Sequence, residues 1–328
     1  MTLDNETRRF LEIAARNATK PRHEMTPDEA REAMRGLRAR LDSGPAMYGR
    51  ERFTVPVEGG AVPVDLLVPY ERPAGLMVYF HGGGWVVGSA EEFEPLGRAL
   101  AAATSCAVAL VGYRKAPEHP YPEPVEDAWA ALRWCAANAA RLVGDRVPLF
   151  VGGDSAGANL AIAAAFRARD RGGPRIDGQL LAYPVTDCDF DRPSYTAAEN
   201  QLMLTRDTML WYWDHYLPDR SRRTEPEASP ITAKSFGGLP PAVIVTAEHD
   251  VLRDEGEDFA RALRAAGVAV THRRFDGQMH AFLMMVGLLP GSAAGVEFLG
   301  RAIRDRLAAL GSPFPAANDL DRRRGMTS

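Results

Sequence analysis

From residue 76 onward, short runs of almost purely apolar residues alternate with longer stretches in which apolar positions recur every three or four residues. The first kind, at 76–80, 107–111, 148–151, 179–183 and 242–247, has the length of buried strands, and the more polar stretch 268–275 is read as one further strand. The second kind, at 92–104, 124–139, 156–171, 254–266 and 294–310, has helical spacing. Ahead of them, 52–57 and 61–68 flank Glu58-Gly59-Gly60 and predict an antiparallel hairpin. Strands alternating with helices predict an α/β protein with a mainly parallel central sheet covered by helices on both faces.

Two stretches depart from this rhythm. The first 45 residues carry no strand pattern. Residues 7–17 are amphipathic. Thr26-Pro27-Asp28-Glu29 then predicts a helix with Thr26 as N-cap, Pro27 in its first position and Glu29 closing a capping box. That helix should run to about residue 41 and stop at Ser43-Gly44-Pro45. Between Tyr183 and Ala242 no strand is predicted, and the one clear helix, 206–217, carries Trp211, Tyr212, Trp213 and Tyr216. Such an insertion, joined to the N-terminal helices, would make a lid. Ser312-Pro313-Phe314-Pro315 should end the last helix, leaving a polar tail.

Composition narrows the function. The chain has 328 residues, 46% hydrophobic and 25% charged, enough for a large core and unlike a disordered or fibrous protein. A net charge of -4 argues against a dedicated nucleic-acid binder. Of 39 basic residues only Lys20, Lys115 and Lys234 are lysine, a bias from which no function follows. The cysteines Cys106, Cys135 and Cys188 are odd in number and form no CxxC, which suits a reducing cytoplasm and excludes a cysteine-based metal site. No signal-peptide pattern opens the chain, and the longest apolar run, 281–289, is far too short to span a bilayer. With neither G-x-x-x-x-G-K nor G-x-G-x-x-G, no nucleotide cofactor is expected.

The strongest chemical signal is Gly153-Asp154-Ser155-Ala156-Gly157, between a predicted strand and a predicted helix. This is the strand–turn–helix setting of a nucleophile elbow. The turn is so tight that side chains two before and two after Ser155 would strike neighbouring backbone. It also sets Ser155 Oγ at a helix N-terminus, which favours a developing oxyanion. A serine hydroxyl needs a base, and in this chain order an acid and then a histidine should follow. Four histidines lie downstream. His215 sits in the aromatic helix, His272 within a strand, and His249 beside the candidate acids. His280, in the loop after the last strand, is the choice, because α/β sites assemble at the C-terminal ends of strands. For the acid, Asp250, Glu248 and Asp276 all stay open on position alone. Asp254 is expected to be the N-cap of the helix that follows. His81-Gly82-Gly83-Gly84-Trp85, directly after a strand, offers bare amides that with Ala156 N–H would form an oxyanion hole.

The combination of His81-Gly-Gly-Gly-Trp85, Tyr113-Arg-Lys-Ala-Pro-Glu-His119-Pro-Tyr-Pro, Gly153-Asp-Ser-Ala-Gly-Ala-Asn-Leu, Asp250-Val-Leu-Arg-Asp-Glu-Gly256 and Phe275-Asp-Gly-Gln-Met-His280 resembles the bacterial esterases related to hormone-sensitive lipase, within the α/β-hydrolases. The resemblance spans residues 64–310. It implies Ser155 as nucleophile, Asp250 as acid, His280 as base, and Gly83, Gly84 and Ala156 as oxyanion donors. It implies supporting roles for His81, Tyr113, Arg114, Glu118 and His119. It also implies a helical cap from 1–45 and 186–235, a catalytic domain from 46–185 and 236–315, and a tail at 316–328. Trp85, Trp211 and Tyr183 are candidate substrate contacts. The chain departs from the family pattern at Ala158 and Ala281, where Gly is usual, at Lys115, where Leu is usual, and at Val251, where Pro is usual. Ala158 and Ala281 bear on pocket size.

The reading is therefore a soluble, cytoplasmic serine carboxylesterase acting on a small ester of short to medium acyl length, neutral or modestly polar. Neither cofactor nor metal is expected; Glu118-His119 alone could suggest a metal, and no further ligand joins it. An amidase or deacetylase would use the same residues. A non-catalytic receptor of this fold would be expected to lose one of them. A homodimer is compatible with the resemblance, although no stretch of the sequence marks an interface.

Overall fold

The computed structural model describes residues 3–17, 20–38, 41–144 and 147–312. Among these, eight strands form one sheet: β1 (Gly49–Val57), β2 (Gly60–Val68), β3 (Gly75–Phe80), β4 (Cys106–Val111), β5 (Leu149–Asp154), β6 (Gly178–Ala182), β7 (Ala242–His249) and β8 (Val270–Met279). The spatial order is β1-β2-β4-β3-β5-β6-β7-β8. The β1–β2 hairpin is antiparallel, turning at Glu58-Gly59 with Val57 paired to Gly60. β2 joins β4 antiparallel, and every pair from β4 to β8 is parallel. The inner strands β3, β4, β5, β6 and β7 are buried at every position, as expected of parallel strands covered on both faces.

The helices are α1 (Asn5–Asn17), α2 (Pro27–Arg38), α3 (Ala90–Thr104), α4 (Glu123–Ala137), α5 (Ala139–Val143), α6 (Ala156–Asp170), α7 (Pro193–Thr196), α8 (Arg206–Tyr216), α9 (Arg253–Ala265) and α10 (Pro290–Ala309). The capping box of α2 forms as its sequence predicts. Glu29 N–H donates to Thr26 Oγ1 at 3.3 Å, and Thr26 N–H to Glu29 Oε2 at 2.8 Å. The predicted helix 124–139 is instead split at Asn138, which is the C-cap of α4 and the N-cap of α5. The last helix begins earlier than predicted, at Pro290, whose fixed φ suits a first turn. Asp254 is not the N-cap of α9. Leu252 is, and the Asp254 carboxylate instead accepts the Ser194 amide of α7 at 2.8 Å. The expected tail at 316–328 and the helix stop beyond Ser312 lie outside the described residues.

Between β6 and β7 there is no strand among the described residues, only α7, α8 and short 3-10 turns. Helix α8 packs against the 3-10 turn Arg22–Glu24 that joins α1 to α2. The two stretches that break the α/β rhythm thus meet each other over the C-terminal ends of the strands. No described helix is long and apolar enough to cross a membrane.

Candidate active site

The turn between β5 and α6 carries Ser155 at φ 54° and ψ -122°, a conformation an L-residue holds only when its surroundings impose it. What imposes it is the absence of two side chains. A Cβ on Gly153 would come within 2.4 Å of the Gly157 carbonyl, and one on Gly157 within 2.0 Å of the Phe80 carbonyl oxygen. With both positions bare, the turn closes tightly and lifts Ser155 Oγ above the sheet.

His280 follows β8, and its Nε2 lies 3.1 Å from Ser155 Oγ. Its Nδ1 lies 2.7 Å from Oδ2 of Asp250, in the turn after β7. The other oxygen of Asp250 accepts the Leu252 amide at 2.9 Å. Asp250 is fully buried, Ser155 6% exposed and His280 7%, so the chain of bonds is dry at one end and just open at the other. With the carboxylate as acceptor, Nδ1 holds the imidazole proton and Nε2 is left as the acceptor facing Ser155. The rival acids are otherwise engaged. Glu248 Oε2 accepts the Gly277 amide at 2.7 Å, anchoring the end of β8 just ahead of His280, and Asp276 is exposed. The other histidines stay out: His272 Nε2 meets Thr246 Oγ1 at 3.1 Å, His215 packs on Trp211, and His249 is buried beside Glu248.

The glycine run lies across from Ser155. Gly83 and Gly84 line the same pocket at φ 114° and 58°, and their amides donate to no acceptor among the described hydrogen bonds. Ala156 opens α6, where an amide has no intrahelical partner. The loop is fixed from beneath. Tyr113 Oη donates to the His81 carbonyl at 2.8 Å, and the His81 ring, stacked between Phe93 and Tyr113, is pushed down to about 3 by burial and so stays neutral. From above, the Tyr212 ring lies so near that a Cβ on Gly84 would sit 2.2 Å from it.

Asp154 is a residue the sequence reading passed over. It is buried beside the nucleophile, and its Oδ1 accepts both the Tyr79 hydroxyl and the Gly82 amide at 3.0 Å, tying the glycine loop to the elbow. Burial pushes its pKa up to about 7, from 3.8 for the free group. Between those values the folded chain keeps a proton that the unfolded chain has released. Stability therefore falls as pH rises through this window and levels off above about 7. Asp154→Asn is neutral throughout and retains an oxygen for both donors. Its urea midpoint should fall less than that of the wild type between about pH 5 and pH 8. Equal falls would refute the cost of burying this charge.

The pocket above Ser155 has an empty volume of about 630 Å³, open solvent at its mouth included. Its roof comes from Arg22, Met34 and Leu37 on one stretch and from Met203, Leu204, Thr208, Met209 and Tyr212 on the other. The three substrate contacts expected from sequence do not line it. Trp85 is fully buried and stacks on Tyr216 at 4.0 Å and 5°. Trp211 lies on the α8 face shared with His215, whereas Thr208, Met209 and Tyr212 turn to the pocket. Tyr183 is buried with its ring edge-on to His280 at 4.8 Å, behind the imidazole rather than before it. Of the departures from the family pattern, the Ala281 side chain lines the pocket and Ala158 is buried in α6 away from it. Glu118 is held by Arg31 through two oxygens and His119 by Glu123. No group of three or more His, Cys, Asp or Glu suited to a metal occurs among the described residues.

A mainly parallel sheet that presents a strained serine on a strand–helix turn, with an acid and then a histidine on later loops, defines an α/β-hydrolase. A family model described as the alpha/beta hydrolase fold matches residues 77–284. Carboxylesterase NlhH of Mycobacterium tuberculosis is 42% identical over 238 residues, 72% of this chain and 74% of that protein. The ethyl acetate hydrolase of Pseudomonas putida is 32% identical over 321 residues, 94% of this chain and all of that protein. The solved structure of the hyperthermophilic esterase from the archaeon Pyrobaculum calidifontis superposes with a TM-score of 0.87 at 34% identity, covering 93% of this chain and 99% of that one. The chain belongs to the esterase family related to hormone-sensitive lipase.

Proposed function

We propose that this protein is a serine carboxylesterase working through an acyl-enzyme. The observation that carries the reading is the unbroken run Asp250–His280–Ser155, with contacts of 2.7 and 3.1 Å, opening onto a pocket walled by free glycine amides. Ser155 Oγ attacks the ester carbonyl as His280 Nε2 takes its proton, and Asp250 holds the imidazole in the required tautomer and stabilises it once charged. The amides of Gly83, Gly84 and Ala156 receive the oxyanion. Each such donor is worth about 10²–10³ in turnover. Collapse returns the proton to the leaving alcohol, and water activated by the same imidazole then releases the acid.

The carboxylesterase and ethyl acetate hydrolase names of the relatives favour esters over amides. The stretches 1–45 and 186–235 act as a cap, a role supported by the pocket residues each supplies. A largely apolar, methionine-rich roof close above the serine suits short to medium acyl chains. A p-nitrophenyl butyrate should turn over faster than a long-chain ester, and the reverse order would overturn this preference. The free cysteines, two of them buried, suit a reducing cytoplasm. A fluorophosphonate probe should form its adduct on Ser155 by peptide mapping; an adduct elsewhere, or none, would refute the nucleophile.

A further inference from the structure

Among the described residues, the roof of the pocket contains one cation, Arg22, in the 3-10 turn before α2. Other buried or part-buried arginines of the chain are neutralised. Arg31 pairs with Glu118 at 2.6 Å, Arg98 with Glu94 at 2.5 Å, Arg167 with Glu126 and Glu227, and Arg223 with Asp214. Arg22 has no carboxylate within ion-pair distance among the described residues, and its recorded bond runs from Nη1 to the Ala30 carbonyl at 3.0 Å. It also lies against the Tyr212 hydroxyl. Asp154, the acid on the pocket wall, is taken by Tyr79 and Gly82. The surroundings are mostly apolar, with Met34, Leu37, Met203, Leu204, Met209 and Met284 beside Thr208 and Tyr212. A half-buried guanidinium is costly in such a wall unless an anion meets it. It has five N–H donors, most of them without a partner among the described residues, in the fork that fits a carboxylate.

We propose that Arg22 is a specificity residue and that the pocket takes esters bearing a free carboxylate, such as half-esters of dicarboxylic acids or acylated hydroxy acids. The proposal rests on the esterase reading above. It also revises the neutral substrate suggested by the chain's mild negative charge, since a net charge sums over the whole surface and says little about one wall of a pocket.

The test compares matched pairs within each variant. On the acyl side, mono-p-nitrophenyl glutarate is set against p-nitrophenyl valerate. On the alcohol side, the acetyl ester of a hydroxy acid is set against the acetyl ester of its methyl ester. The ratio of kcat/KM, charged over neutral, should fall about ten- to hundredfold in Arg22→Gln for at least one pair, and Arg22→Lys should keep most of it. Because the readout is a ratio, a general loss of activity cancels. A wild-type KM for the charged ester that rises with added salt, while that of the neutral ester does not, would agree. Ratios unchanged in Arg22→Gln for both pairs would overturn the inference and leave the esterase reading standing. A wild type that hydrolyses none of the four esters would remove the reading and the inference together.

Discussion

Ser155→Ala should lose about six orders of magnitude in kcat on p-nitrophenyl butyrate, falling to the background left by binding and the oxyanion amides. The loss is large because the oxygen removed is the atom that forms the covalent bond, and no neighbour can substitute. Asp154 points into the elbow with its Oδ1 committed to Tyr79 and Gly82. The alanine should fold, because the backbone at residue 155 is shaped by Gly153 and Gly157 rather than by the hydroxyl. Removing the side-chain oxygen leaves the Ser155 amide bond to the Ala182 carbonyl, at 2.8 Å, in place. A melting temperature within a few degrees of wild type, together with loss of fluorophosphonate labelling, is the expected pair of results. Retained turnover in a pure sample would remove Ser155 from the chemistry.

Asp250→Asn should cost about 10⁴ in kcat with little change in KM. The amide keeps one oxygen for the Leu252 N–H, but it can then offer only an N–H to His280 Nδ1. That forces the imidazole proton onto Nε2, the nitrogen that must accept from Ser155. Glu248→Gln separates this from a general effect of nearby acids. Its amide oxygen can still receive the Gly277 N–H, so the end of β8 that positions His280 stays anchored and activity should fall far less. If Glu248→Gln proved the more damaging change, the acid has been misassigned.

The legible part of this molecule was the part written in local pattern. Strands β3 to β7 announced themselves as apolar runs because they are buried at every position, whereas β8 is part-exposed over Val270–Arg274 and carries only a weak apolar signal. The elbow was readable because both glycines sit in one five-residue motif, although only Gly153 answers to a neighbour inside it and Gly157 answers to the Phe80 carbonyl at the end of β3. The acid was not readable from position, since Asp250, Glu248 and Asp276 lie close to His280 alike. Only the fold shows that Glu248 turns to Gly277 and Asp276 to solvent. Aromatic content misled at Trp85, Trp211 and Tyr183. A large ring is as useful for filling the core under a cap as for meeting a substrate, and which face of α8 looks inward depends on what the helix rests upon. Arg22 and Asp154 gave no signal at all. One gains its meaning from a helix almost two hundred residues away, the other from a loop that its own strand packs beside.

The fit of Tyr212 over Gly84 has a consequence for anyone recombining these enzymes. The roof and the anion-binding loop share a surface on which there is no room for a single methyl group. A cap transplanted from a relative would carry its own ring, at its own height, and the loop beneath would be pressed or left unsupported. The two therefore inherit as a pair. Chimeras that exchange residues 186–235 alone should need a compensating exchange around the glycine run before acyl preference can be read from the cap.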